Sequence, residues 1–396
     1  MCMCLWQRHF LFRINTYCSL LVLFLSSVFL TTPLKADIPL HFSDGLSDYF
    51  EKTIEDDLAV FVNDPNFAGA VVGIIDGDNE GIVCLGYADM MKKTPVTEDT
   101  LFEIGSLTKV FTGILLAHAI KEGRLSLEDS VADLLKGRGD FNNLRDVTLK
   151  DLVTHQSGLP KVMESPLAII KTAYLFMMNK NPYEYYTTDK VLKYLSTVDL
   201  DGRHGSYKYS NLGIGLLGYI LCQIYGKSYE ELLKKYICYP FHMGASYIRV
   251  PETHKNNFAI GYLEVHKSLG SGDIDCKEAP YWNLSEIMVG SGGIRSCGAD
   301  MMQFLRCYVQ GCDPALNDTL EVLTSNNIGI CWHVIKINHK PVYFHNGGTG
   351  GFRSCILFNQ EEKVGVFILL NSLLEPDDIS KKILKQLMDA EKPNSR

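Results

Sequence analysis

Leu101-Phe102-Glu103-Ile104-Gly105-Ser106-Leu107-Thr108-Lys109-Val110-Phe111 is the most informative stretch of this chain. It begins strand-like, turns at Gly105, and enters a run that is apolar on nearly every side: Ile114, Leu115, Leu116, Ala117, Ala119 and Ile120 follow Val110 and Phe111. A helix with so little polar face is a buried helix. Ser106 stands at its start, where free backbone N–H groups and the local positive potential favour a developing negative charge. Lys109 lies one turn on, and residues at i and i+3 share a helix face. A lysine forced into apolar surroundings resists protonation. A neutral amine beside a hydroxyl can take its proton and make a weak nucleophile useful near neutral pH. The plainer reading is a helix cap followed by a solvated lysine, and four residues alone do not decide between the two.

Working outward, Gly69 to Ile75 is a β-branched run closed by the turn Asp76-Gly77-Asp78, with Ile82 to Tyr87 as its hairpin partner. Apolar residues between Ser43 and Val62 recur at helical spacing. Residues 161–200 read as helical and partly exposed, and Leu212 to Tyr225 as a second buried helix. Gly290 to Gly293 is a glycine-rich turn before a helix from about Ala299 to Tyr308. The C-terminal portion alternates as four strands, residues 331–337, 342–344, 354–358 and 364–370, and closes with a helix over 379–388. Strands at both ends with helical sequence between predict an α/β (α+β) fold. One lobe is built from residues 37–120 and 285–396, and a mainly helical lobe, residues 121–284, is inserted into it.

Two further elements carry chemistry. Tyr209-Ser210-Asn211 precedes the second buried helix, so its side chains can face a cleft. A tyrosine beside a lysine ammonium has its phenol pKa lowered and can shuttle protons as base and then acid. Asn211 offers an amide able to hold both the lysine and a substrate carbonyl. His345-Asn346-Gly347-Gly348-Thr349-Gly350-Gly351-Phe352 follows a strand expected to end at Phe344. Glycines at a strand edge admit close approach of another backbone or a substrate. An N–H from this segment, with that of Ser106, could stabilise an acyl-transfer oxyanion.

Serine-x-x-lysine, tyrosine-x-asparagine and histidine-x-glycine, in this order, resemble the serine β-lactamase and penicillin-binding-protein superfamily. The likeness is nearer to class C β-lactamases and the related DD-carboxypeptidases and esterases. Leu152-Val153-Thr154-His155-Gln156-Ser157-Gly158-Leu159-Pro160 and Ser291-Gly292-Gly293-Ile294-Arg295-Ser296 look similar as well. The resemblance covers about residues 45–388. It implies a β-lactamase/transpeptidase-like fold, an antiparallel sheet flanked by helices with an inserted all-helical lobe. It makes Ser106 the acylated nucleophile, with Lys109 and Tyr209 sharing the role of general base. Asn211, His345, Gly347, Gly348 and Thr349 would bind substrate, and the backbone N–H groups of Ser106 and Gly348 would form the oxyanion site. His345 stands where class C enzymes carry a lysine, and a neutral imidazole attracts a carboxylate less than an ammonium does. The expected activity is therefore that of a D-alanyl-D-alanine carboxypeptidase-type serine hydrolase. A carboxylesterase or a class C-like β-lactamase is the alternative. A catalytically silent penicillin-binding sensor is the alternative of another class.

The chain has 396 residues, 46% hydrophobic and 21% charged, with 38 basic and 46 acidic residues and a formal charge of −8. This balance argues against nucleic acid as a partner, because phosphate binding needs concentrated Lys and Arg. The expected partner is a small acyl substrate, whether peptide, ester or β-lactam, including cell-wall peptide. Arg8 and Arg13 precede a 13-residue apolar run (residues 18–30) and a softer segment ending at Ala36, the pattern of an export signal occupying residues 1–36. The run is short of the ~20 residues that cross a bilayer as a helix. The protein is thus expected to be exported, periplasmic or secreted, and to touch membrane only through an uncleaved signal. The scattered cysteines have no metal-ligand spacing, so no metal and no cofactor are expected.

Overall fold

The computed structural model describes residues 40–42, 56–200, 202–267 and 274–390. The export-signal reading and residues 43–55 of the first expected helix lie outside these, while residues 56–62 are helical. The described residues form one compact unit.

An eight-stranded antiparallel sheet is the centre of the fold. Its order is β1-β3-β2-β12-β11-β10-β9, with β4 paired to β3. The strands are β1 (Leu40–Phe42), β2 (Gly69–Asp76), β3 (Asn79–Asp89), β4 (Thr94–Pro95), β9 (His333–Ile337), β10 (Lys340–Gly348), β11 (Arg353–Asn359) and β12 (Val364–Leu370). Strand β2 pairs with β3 through a hairpin at Gly77 (φ +62°) and with β12 on its other side, Ala70 opposite Leu370 and Asp76 opposite Val364. Strands from the N-terminal and C-terminal parts of the described chain thus meet in the middle of the sheet. Every residue of β12 is buried, as expected of a strand covered on both faces.

The two faces have separate cores. On one, Leu58 and Phe61 of the N-terminal helix and Ile383, Leu384 and Leu387 of helix α6 (Asp377–Asp389) pack on Val72, Val366 and Ile368. On the other, a larger core joins the sheet to α1 (Thr108–Lys121), α2 (Leu149–Val153), α4 (Asn211–Tyr225) and α5 (Gly298–Gln310). Between α2 and α4 lies α3 (Pro166–Met177), of which only Ala168 is buried. Two short two-stranded antiparallel sheets pair β5 (Leu101–Glu103) with β8 (Arg295–Cys297) and β6 (Tyr262–Lys267) with β7 (Ile274–Glu278).

Two details differ from the sequence expectations. The 121–284 segment is not wholly helical, because it contains both β6 and β7. Strand β10 does not end at Phe344 but continues through Gly348, because its ladder with β11 runs on to Gly348 opposite Arg353. Glycines lower strand propensity, but tertiary pairing overrides that preference here. The Gly213-x-Gly215-x-x-Gly218 run, which spells a dinucleotide fingerprint, serves close packing instead. A Cβ on Gly215 would come within 2.5 Å of the Ile287 carbonyl oxygen, and one on Gly218 within 3.0 Å of Gly290 Cα.

Cys307 and Cys312 are disulfide-bonded where α5 ends. Cys84, Cys238, Cys297, Cys331 and Cys355 are buried, the role of small apolar side chains that their scattered spacing predicts.

Candidate active site

A single turn of 3-10 helix, Gly105–Leu107, links β5 to α1 and places Ser106 at the mouth of the buried helix. Gly105 has φ +52°, and a Cβ there would lie 2.6 Å from the Gly348 nitrogen. A Cβ on Gly347 would meet the Ile104 oxygen at 2.2 Å and the Ser106 nitrogen at 3.0 Å. Only glycine permits the end of β10 to lie this close to the nucleophile turn. Ser354 Oγ on β11 donates to the Ile104 oxygen at 2.8 Å and fastens the turn to the sheet. The end of β10 is thereby packed against the backbone of Ile104 to Ser106.

Helix α1 buries a polar stripe of its own. Lys109 is 0% exposed. Its Nζ donates to Ser106 Oγ at 2.8 Å and to the Ser291 carbonyl at 2.6 Å. Thr112 Oγ1 donates to the Gly290 carbonyl at 2.7 Å, and Thr108 Oγ1 accepts from the Ile294 N–H at 3.1 Å. The glycine turn at 290–293 therefore supplies the partners that make these buried groups tolerable. Burial lowers the Lys109 amine from its ordinary 10.5 to about 7, with the nearby Cys331 acting weakly in the opposite sense. At neutral pH a large share of this amine is uncharged.

Tyr209 stands over the same lysine, with Nζ 4.9 Å from the ring centroid, and its hydroxyl is hydrogen-bonded to Ser106. Its phenol is not acidified. Burial pushes it well above the ordinary 10.0, and the bond to Ser106 offsets this only in part. The sequence reading expects a lysine ammonium to lower it, whereas the buried amine is only partly charged near neutral pH and the burial of the phenol prevails. Near neutral pH the Tyr209 group is a phenol that can relay a proton.

The loop bearing Tyr209 is held by His155. Thr148 and Asp151 form a capping box at the start of α2, and the chain then leaves the helix through His155 at φ +59°. The His155 carbonyl accepts from the Lys208 N–H at 2.7 Å, and its Nδ1 accepts from the Ser210 N–H at 3.2 Å. Tyr209 lies between these two bonds, its ring 4.5 Å from the imidazole. Ser210 caps α4 by accepting from the Gly213 N–H at 2.9 Å. Asn211 does not bridge to Lys109 as expected. Its Nδ2 donates to Tyr183 OH at 2.7 Å, and its buried Oδ1 has no hydrogen-bond partner among the described residues. Tyr183 was not anticipated, since residues 161–200 carry no clear periodicity.

His345 is buried (1% exposed), and its ring lies 5.4 Å from that of His333. Burial holds the imidazole well below its ordinary 6.5, and His333 and Lys109 add to the effect. Its Nδ1 is 2.7 Å from the Asn346 carbonyl oxygen, which can only accept, so Nδ1 carries the proton. The other nitrogen, Nε2, is a buried lone pair without a hydrogen-bond partner among the described residues. Thr349, also buried, lies against Glu103.

Beneath the nucleophile turn is a buried ion pair that sequence reading also missed. Arg295 Nη2 meets Glu103 Oε1 at 3.0 Å, with the two side chains 4% and 3% exposed. The same guanidinium donates to the carbonyls of Ile248, Gly293 and Trp282, while Glu103 accepts from the Trp282 N–H at 2.7 Å. Burial raises the Glu103 carboxyl although Arg295 works to lower it. A buried pair of this kind adds little net stability but is costly to break from one side.

A serine whose hydroxyl is bonded to a buried amine and a phenol is the arrangement of an active-site-serine hydrolase. Residues 50–388 match the model of the Beta-lactamase family, and the chain belongs to that family. The beta-lactamase of Escherichia coli (strain K12) is 26% identical over 357 residues, covering 82% of this chain and 89% of that protein. A class C beta-lactamase from Rhodobacter sphaeroides superposes with a TM-score of 0.69 at 22% identity, covering 85% of this chain and 99% of its own. A beta-lactamase/D-alanine carboxypeptidase from Pseudomonas syringae does so with a TM-score of 0.71 at 19% identity, covering 87% and 100%. These structural likenesses establish the shared fold.

The Lys109 amine makes a pH prediction. With the neutral amine as the base for the serine proton, kcat/KM on a neutral ester is expected to rise tenfold per pH unit from pH 5 and to level off above about 7. Initial rates across pH 5–9 check this. Tyr209→Phe lowers the plateau without moving the midpoint, whereas a midpoint that follows Tyr209 would assign the base to the phenol.

Proposed function

We propose that this protein hydrolyses acyl donors through a covalent intermediate on Ser106. Lys109 takes the hydroxyl proton, and Tyr209 passes it to the leaving group. The N–H groups of Ser106 and Gly348 hold the oxyanion. The observation that carries the reading is the Lys109 Nζ, wholly buried and 2.8 Å from Ser106 Oγ. The proton that leaves Ser106 departs with the leaving group, and water later donates a proton back as it releases the acid. Asn211, His345, Gly347 and Thr349 line the approach and orient the acyl group.

The donor assigned first is a D-alanyl-D-alanine-type peptide, a reading supported by the fold shared with the Pseudomonas syringae beta-lactamase/D-alanine carboxypeptidase. A carboxylic ester is the second reading, and one observation favours it. The free Nε2 of His345 is a hydrogen-bond acceptor in a site that disfavours its protonation, so it offers a substrate carboxylate no cation. We place the protein outside the cytoplasm, periplasmic or secreted, on the strength of the basic-then-apolar pattern of residues 1–36.

Purified protein incubated with a labelled penicillin or an activated ester, then digested and mapped by mass, tests the intermediate. The adduct is expected on the peptide containing Ser106. Its absence with every acyl donor, together with no turnover, removes the proposal. Rates on a D-Ala-D-Ala peptide, a short-chain nitrophenyl ester and a chromogenic cephalosporin then rank the substrate classes.

A further inference from the structure

Helix α3 breaks the rule that its neighbours obey. Apolar helices are ordinarily buried, yet Leu167, Ile169, Ile170, Tyr174, Phe176 and Met177 are between 53% and 83% exposed. At ~100° per residue these positions fan over roughly half of the helix circumference, while Ala168, at the middle of the opposite side, is the one buried residue. A sector this wide exceeds the narrow seam by which one helix packs on another, and exposed patches of this kind mark interaction sites.

Its charged surroundings point to one partner. Segment 161–180 carries Lys161, Lys171 and Lys180, all exposed, against a single acid, Glu164. That acid is already engaged by Arg203 and Lys208. The segment is therefore locally basic on a chain whose formal charge is −8, which complements anionic lipid headgroups. Twelve residues make a helix of ~18 Å, too short for the ~30 Å hydrocarbon core but suited to lying in its boundary. No helix among the described residues is long and apolar enough to cross a membrane.

The same segment borders the catalytic cleft. Asn179 and Asn181, just beyond the helix, donate to the carbonyls of Glu278 and Asn283 at 2.9 and 2.8 Å. Tyr183 then accepts from Asn211 at 2.7 Å. We propose that α3 is a docking element for an anionic bilayer surface, its exposed apolar sector immersed at the lipid boundary with the opening to Ser106 close beside it. The proposal does not rest on the acyl-transfer reading.

Hydrogen exchange on the full chain tests it locally, so that binding through residues 18–30 does not confuse the result. With vesicles of phosphatidylglycerol and phosphatidylcholine, peptides covering 165–180 should exchange at least about fivefold more slowly, and less so with phosphatidylcholine alone. The double variant Phe176→Asp, Met177→Asp should lose this slowing and keep its rate on a soluble ester. Unchanged exchange with both vesicle types overturns the proposal, as does slowing that survives the double variant. Slowing that needs no lipid and grows with protein concentration also overturns it, by assigning the face to a second copy of the chain.

Discussion

Lys109→Met will lower kcat/KM by roughly 10²–10⁴-fold, the usual range for losing a positioned general base, and will at the same time stabilise the protein. Methionine fills nearly the same volume without an ionisable group. The amine costs stability because folding moves it from 10.5 to about 7. At about 1.4 kcal/mol per unit, that shift amounts to about 4 kcal/mol at pH 7, an upper bound for a group held in the interior. Losing the bonds to Ser106 Oγ and the Ser291 carbonyl returns ~1 kcal/mol each. A net gain of about 2 kcal/mol remains.

The sign of the pH dependence follows. Between pH 7 and 10.5 the unfolded chain binds the lysine proton and the folded chain does not, so wild-type stability rises with pH across that window. The methionine variant lacks this rise, and its advantage shrinks as pH increases. Urea denaturation at pH 7 and pH 9.5, with ester hydrolysis measured alongside, reads both halves. A variant that is less stable than wild type at pH 7 would show that the amine is protonated and well solvated by its neighbours.

Arg295→Ala has the second large effect, a loss of about 3–5 kcal/mol, because it strands the Glu103 carboxylate in a buried site. It also releases the carbonyls of Ile248, Gly293 and Trp282. Glu103 ends the strand that leads into the Ser106 turn, so acylation should slow even in the folded fraction. The double variant Glu103→Gln, Arg295→Met separates the causes. It should recover most of the stability, since removing both charges removes the stranded one. A double variant as unstable as Arg295→Ala would mean that the guanidinium acts through its bonds to the backbone alone.

Much of this architecture is legible along the chain. The hairpin at Gly77, the buried helix after Ser106 and the C-terminal strands follow from local periodicity and turn chemistry, which nearest neighbours in sequence decide. The partnership of Ser106 with Lys109 is equally local, because three residues on a helix amount to one turn. The extent of β10 was not, since its glycines are recruited by pairing with β11 rather than by propensity. Nor was His155, whose two bonds to the Tyr209 loop join residues more than fifty positions apart.

Residue order settles which groups can carry chemistry here, since covalent spacing and helix pitch bring the nucleophile and its amine together without help from afar. Protonation and partnership are another matter. The Lys109 amine is poised near neutrality, and the Tyr209 phenol is not acidified, because atoms from remote segments exclude water around them. One of the two acceptors for Lys109 is a carbonyl 182 residues away. Desolvation is a property of the packed surroundings, so only the folded chain decides which of these groups holds a proton.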